Sequence, residues 1–78
     1  MTILNITYNG LSADYPLDGD VELADADVRR IAVEVVRAGG VRGLHVPALP
    51  ETAFDNFVID RFDRGARIYL RPKVPFGQ

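Results

Sequence analysis

The sequence predicts an α+β fold: a four-stranded mixed sheet, in strand order 2-1-4-3, packed on one helix. Three observations carry that expectation. Residues 2–17 read as two alternating strands around a tight turn, and residues 57–71 read as a second such pair. Between them, Asp25–Ala38 repeats its apolar residues with the period of a helix. A helix that carries the chain from one hairpin to the other favours first and last strands lying parallel at the centre of the sheet. One helix laid across four strands is then the economical way to bury both apolar surfaces.

The first hairpin can be tested on its own register. Leu4, Ile6 and Tyr8 alternate with Asn5 and Thr7, and Leu11, Ala13, Tyr15 and Leu17 alternate with Ser12, Asp14 and Pro16. Asn9-Gly10 between them is the pair a type I′ turn requires, because both of its positions need positive φ. A two-residue turn sets Tyr8 opposite Leu11, Ile6 opposite Ala13 and Leu4 opposite Tyr15, so the apolar residues share one face. Pro16 lacks an amide donor and marks the second strand as an edge.

Residues 18–24 form an acidic connection containing Gly19. In the helix, Val28, Ile31, Ala32, Val35 and Val36 form the apolar stripe, Asp25 is the candidate N-cap, and Asp27 suits the positive end of the dipole. Arg37 suits the last turn, and Gly39-Gly40 supplies a left-handed stop. The valines lower intrinsic helix propensity, so this helix is expected to depend on packing against the sheet.

Residues 41–56, with Gly43, Pro47 and Pro50, hold no period for long. Leu44-His45-Val46 is a candidate short strand, and residues 51–56 a candidate helical turn. An irregular segment of this length is expected either to pack down or to be functional. Residues 57–62 and 66–71 are the third and fourth strands, joined through Asp63-Arg64-Gly65. A loop of even length sets Ile59 opposite Leu70 and puts Phe57, Ile59, Ala66, Ile68 and Leu70 on the core side. An unbulged three-residue loop would drive Asp60 against Ile68. The decisive tertiary contact is expected to be Ile6 beside Ile68.

Composition narrows the function. Seventy-eight residues allow one small core, and the chain has no cysteine, hence no disulfide, thiol nucleophile or cysteine metal site. No apolar stretch reaches the length of a membrane span, and no basic segment precedes an apolar run at the start, so a soluble cytoplasmic protein without membrane contact is expected. Six acidic residues, Asp14 to Asp27, precede every basic residue. After them nine Lys and Arg stand against five acids. That asymmetry suits steering of a protein partner; the basic residues are too scattered, and the acidic part too repulsive, for nucleic acid. His45 is the single histidine, without an evident acid or nucleophile beside it, and no metal spacing or phosphate loop is present. Neither an enzyme nor a cofactor or metal binder is expected.

If the helix covers Leu4, Ile6, Leu11, Tyr15, Ile59, Ile68 and Leu70, the reverse face carries Ile3, Val58, Phe62 and Tyr69, ringed by Arg67, Arg71 and Asp60. Apolar residues surrounded by charge suit a protein-binding patch, unless residues 41–56 lie over it. Residues 1–71 would be the folded domain. Beyond them Pro72 and Pro75 block both helix and ladder, leaving residues 72–78 as a flexible tail.

Taken together, the hairpin with its Asn9-Gly10 turn, the helix Asp25–Ala38, and a last strand running through Arg71 into a tail with Gly77 resemble a ubiquitin-like protein of the β-grasp fold, such as a small bacterial modifier. Such modifiers end in Gly-Gly, where this chain has Phe76-Gly77-Gln78. The resemblance implies a tail trimmed to Gly77 by a peptidase, adenylated by an activating enzyme, and passed through a conjugating enzyme to a target. Val74 and Phe76 would anchor in the activating enzyme's groove, and glycine would admit close backbone approach. It also implies recognition through the open sheet face. The alternative is a β-grasp adaptor or regulator that uses this face without conjugation. Lys73, the sole lysine, favours attachment of single units over chain building.

Overall fold

The computed structural model describes residues 1–18 and 22–73 of the chain. Strand β1 (Thr2–Tyr8) and strand β2 (Leu11–Leu17) form the first hairpin. Helix α1 (Asp25–Ala38) follows, then strand β3 (Val58–Phe62) and strand β4 (Arg67–Arg71). The four strands make one mixed sheet in the order β2-β1-β4-β3.

The first hairpin has the register that its turn dictates: Tyr8 opposite Leu11, Ile6 opposite Ala13 and Leu4 opposite Tyr15. Asn9 (φ 50°) and Gly10 (φ 78°) both take positive φ, as a type I′ turn demands. Such a turn makes Tyr8 and Leu11 a hydrogen-bonded pair, so the residue-16 position aims its amide at the free edge rather than at β1. Proline there breaks no ladder bond and blunts the edge that β2 presents.

The central strands run parallel, with Leu4 beside Ile68 and Ile6 beside Leu70. The expected Ile6–Ile68 register is therefore displaced by one step along the face, which keeps all four side chains on the inner side. In the second hairpin Ile59 faces Leu70 and Phe62 faces Arg67. The loop parity is even, as the core requires, but the connection spans 63–66 rather than two residues. A 3₁₀ turn fills Asp63–Gly65, with Asp63, Arg64 and Gly65 all at positive φ. Phe57 and Ala66 fall just outside the strands.

The inner face of the sheet contributes Leu4, Ile6, Ile68 and Leu70 to the core, and α1 contributes Val28, Ala32, Val33 and Val36. Ile31 and Val35, expected at the centre of the helix stripe, are only partly buried. The buried arc is rotated towards Val33 because residues 41–57 pack beside the helix and deliver Val41, Leu44, Leu49 and Phe54 into the same core. Leu11 lies on the inner face by register but is exposed at the hairpin tip.

Segment 41–56 is a chain of tight turns. Val41 and Leu44 form an isolated bridge instead of a strand at residues 44–46, and Gly43 takes φ 82°. Amides of Ala53, Asp55 and Phe57 bond back to the carbonyls of Pro50, Thr52 and Phe54. The segment is tied to the helix by Val46 N–H donating to the Val36 carbonyl, and by two arginines. Arg29 donates to the Phe54 and Phe57 carbonyls at 3.0 and 3.2 Å, and Arg37 Nε donates to the Leu49 carbonyl. These bonds satisfy the backbone of a segment that has neither ladder nor helix of its own.

At the helix ends one expectation holds and one does not. Gly39 takes φ 76° and returns its amide to Val35 and Val36, the left-handed stop. The N-cap, however, is Ala24, with no side-chain cap; Asp25 is already helical, and its carboxylate takes Arg61 Nη1 at 2.7 Å. Arg61 also donates to the Leu23 carbonyl at 2.8 Å, so β3 closes this helix end.

Candidate functional site: the outer face of the sheet

Strand alternation puts every second residue of the sheet on the side away from α1. Register then fixes which of them meet. Pro16, Ile3, Arg67 and Phe62 make one row across the four strands, followed by Asp14, Asn5, Tyr69 and Asp60; beyond them Ser12 pairs with Thr7 in the first hairpin and Arg71 with Val58 in the second. Ile3, Val58, Phe62 and Tyr69 do share this face. Phe62 is 54% exposed, while the other three are partly buried among their neighbours. Its ring stands edge-on to Tyr69, with centroids 5.4 Å apart and planes at 83°. That geometry places the positive ring edge of one aromatic against the negative face of the other.

The face divides into two regions. Near the first hairpin it is polar and internally satisfied. Asn5 Nδ2 donates to Asp14 Oδ1 at 2.8 Å, Ser12 Oγ to Asn5 Oδ1 at 3.1 Å, and Thr7 Oγ1 to Ser12 Oγ at 3.2 Å. Across β4 and β3 it is aromatic and charged. Arg71 Nε donates to Asp60 Oδ2 at 2.7 Å, and Arg67 lies 3.6 Å from Asp63. Arg67 does not ring the apolar residues as expected: it stands between Ile3 and Phe62 in the same row, with its side chain 51% exposed. Its guanidinium is turned towards the exposed Asp63 carboxylate, so the charged end stays at the solvent while the chain crosses an apolar row.

Segment 41–56 leaves this face open, because its apolar residues are spent on the opposite side, in the core beneath α1. Arg71 is the last residue of β4, paired with Val58, and Pro72 and Lys73 beyond it are exposed. The tail positions Val74, Phe76 and Gly77 lie outside the described residues. His45 is exposed, with Nε2 3.1 Å from the Arg37 carbonyl oxygen and its ring against Gly39, where a Cβ would come within 3.3 Å. Its place is structural, at the C-terminal end of α1. Among the described residues no group of His, Asp and Glu is arranged to hold a metal, and no helix is long and apolar enough to cross a membrane.

Comparison with protein-family models, with curated proteins and with solved structures finds no match. The geometry of the chain itself therefore carries the argument. Sequence reasoning missed the work of Arg29, Arg37 and Arg61, each of which donates to a backbone carbonyl, Arg61 also pairing with Asp25. The signal was present for two of them: Arg29, Val33 and Arg37 recur every fourth residue and make a second helical stripe beside the apolar one.

Proposed function

We propose that this chain is a β-grasp, ubiquitin-like protein without catalytic activity that works by binding another protein through the outer face of its sheet. The strand order and the single covering helix are compatible with that fold. The observation that carries the function is Phe62: a large aromatic, 54% exposed, braced by Tyr69 on a face that no other segment of the described residues covers. An aromatic anchor beside arginine is the composition of a binding hot spot, and removal of one such anchor typically costs about 2 kcal/mol or more of binding. Co-purification from the native host tests this. A partner recovered with the wild type and with the surface control Arg42→Ser should be lost, or held about 30-fold more weakly, with Phe62→Ser and Tyr69→Ser. If no protein separates these variants from wild type, the reading fails.

A second reading rests on where the chain goes next. Strand β4 lies inside the sheet, and Pro72 and Lys73 lead out of it into the solvent. We propose that the residues that follow deliver a carboxylate for conjugation. A trimmed Gly77 carboxylate attacks the α-phosphorus of ATP and expels pyrophosphate; a carrier thiol then attacks the acyl carbon and expels AMP. Glycine leaves that acyl carbon unhindered. Incubated with a cognate activating enzyme and ATP, a chain ending at Gly77 should form the thioester. Gly77→Ala and Gly77-deleted chains should not; equal activity of all three removes Gly77 from the mechanism.

A further inference from the structure

The helix layer carries a feature that the sheet-face reading leaves unused: an open groove of about 600 Å³ between α1 and the turns of residues 50–56. Its helix wall presents Arg29, Arg30 and Arg37 together with Glu34, above Val33. Its other wall presents Glu51 and Asp55 and no cation. The two walls therefore have opposite net charge, yet they do not neutralise each other. Among the described residues, Arg29, Arg37, Glu34, Glu51 and Asp55 form no ion pair; Arg30 pairs with Asp27, which does not line the groove.

The arginines at the two ends are also positioned in advance. Arg29 Nε and one Nη2 hydrogen, and Arg37 Nε, are spent on backbone carbonyls, which fixes both side chains while leaving further N–H donors for a ligand. Along the axis, residues 26–37 span about 16 Å at ~1.5 Å per residue, the length of about five residues of extended chain at ~3.3 Å each. A purely anionic ligand would be opposed by Glu51 and Asp55, and a purely cationic one by the arginines. An apolar ligand would find only the two small side chains Ala26 and Val33 among six charged ones. An extended peptide sends successive side chains to opposite sides, so alternating acidic and basic residues would present carboxylates to the helix wall and cations to the other.

We infer that this groove binds an extended peptide segment of about five residues in which acidic and basic side chains alternate. The site lies in the helix layer, apart from Phe62 and the outer sheet face.

Amide chemical shifts of the full chain, titrated with capped synthetic hexapeptides at low and physiological salt, test the inference. The alternating Glu-Lys hexapeptide should shift amides of residues 26–37 and 50–56 and bind at least about tenfold tighter than the Glu-Glu-Glu-Lys-Lys-Lys block, hexaglutamate or hexalysine. Charge reversal on one wall by Glu51→Lys with Asp55→Lys should abolish those shifts, and Arg30→Glu, an exposed change on the other wall, should weaken them. Phe62→Ser should leave them untouched, which separates this result from the fate of the sheet-face reading. Equal affinity for the block or either homopeptide, shifts centred on the outer sheet face, or no binding of the alternating peptide overturns it.

Discussion

Phe54 and Phe62 stand eight positions apart and have opposite fates. Phe54 is fully buried, its ring 5.7 Å from Tyr8 and 4.9 Å from Phe57 in edge-on contacts. Phe62 lies over half exposed, edge-on to Tyr69. Truncation should separate the two roles. Phe54→Ala should cost about 3–5 kcal/mol, a large share of what a domain of this size has, because it leaves a cavity among residues that cannot all collapse into it. Phe62→Ser should cost no more than about 1.5 kcal/mol, the scale of one aromatic pair. Urea denaturation of both variants measures this. Comparable losses would place Phe62 in the core and remove it as a binding anchor.

At the scale of elements, α1 packs on two partners: the sheet and the irregular segment that runs beside it. Arg29 is the joint between helix and segment, since one guanidinium serves both the Phe54 and Phe57 carbonyls. Two neighbouring acceptors at fixed spacing need a planar fork, which lysine does not have. Arg29→Ala should destabilise by about 2 kcal/mol, within the range for hydrogen bonds to a charged group, and Arg29→Lys should recover less than half of it. Full rescue by lysine would mean that charge alone, and not the forked geometry, holds the segment. A loss for Arg29→Ala would also show as faster amide exchange in residues 50–57, whose turns are closed by single i→i+3 bonds.

For the whole molecule the parallel pairing of β1 with β4 matters most, because it joins the two ends of the described chain. Each hairpin alone is a two-stranded ribbon, marginal in water. Joined through Leu4–Ile68 and Ile6–Leu70 and covered by α1, they share one core. Amide exchange should therefore be slowest in β1 and β4, with a common opening free energy, and unfolding should be a single transition. If the first hairpin exchanged at a free energy of its own, distinct from that of the second, the sheet would not be one cooperative unit. The same architecture separates the outer sheet face from the helix-side groove, so the molecule offers two chemically different surfaces: one aromatic and arginine-rich, one with oppositely charged walls.

Much of this was legible along the chain, for a local reason. The Asn9-Gly10 turn, the period-2 strands, the span of α1 and its Gly39 stop are set by backbone sterics and nearest-neighbour patterns. The strand order followed too, because a crossover helix between two hairpins leaves few ways to close a sheet. The shared face of Ile3, Val58, Phe62 and Tyr69 came with the register. What the tertiary structure alone decided was everything that depends on residues 41–57. That segment has no period, and its place is fixed by side chains distant in sequence: Phe54 and Leu49 dropping into the core, Arg29 and Arg37 capturing its carbonyls. Its position rotated the buried arc of α1 onto Val33, kept residues 41–57 off the outer sheet face, and built the second wall of the groove. None of those outcomes is written in a local pattern, because each depends on which distant apolar side chains find room together.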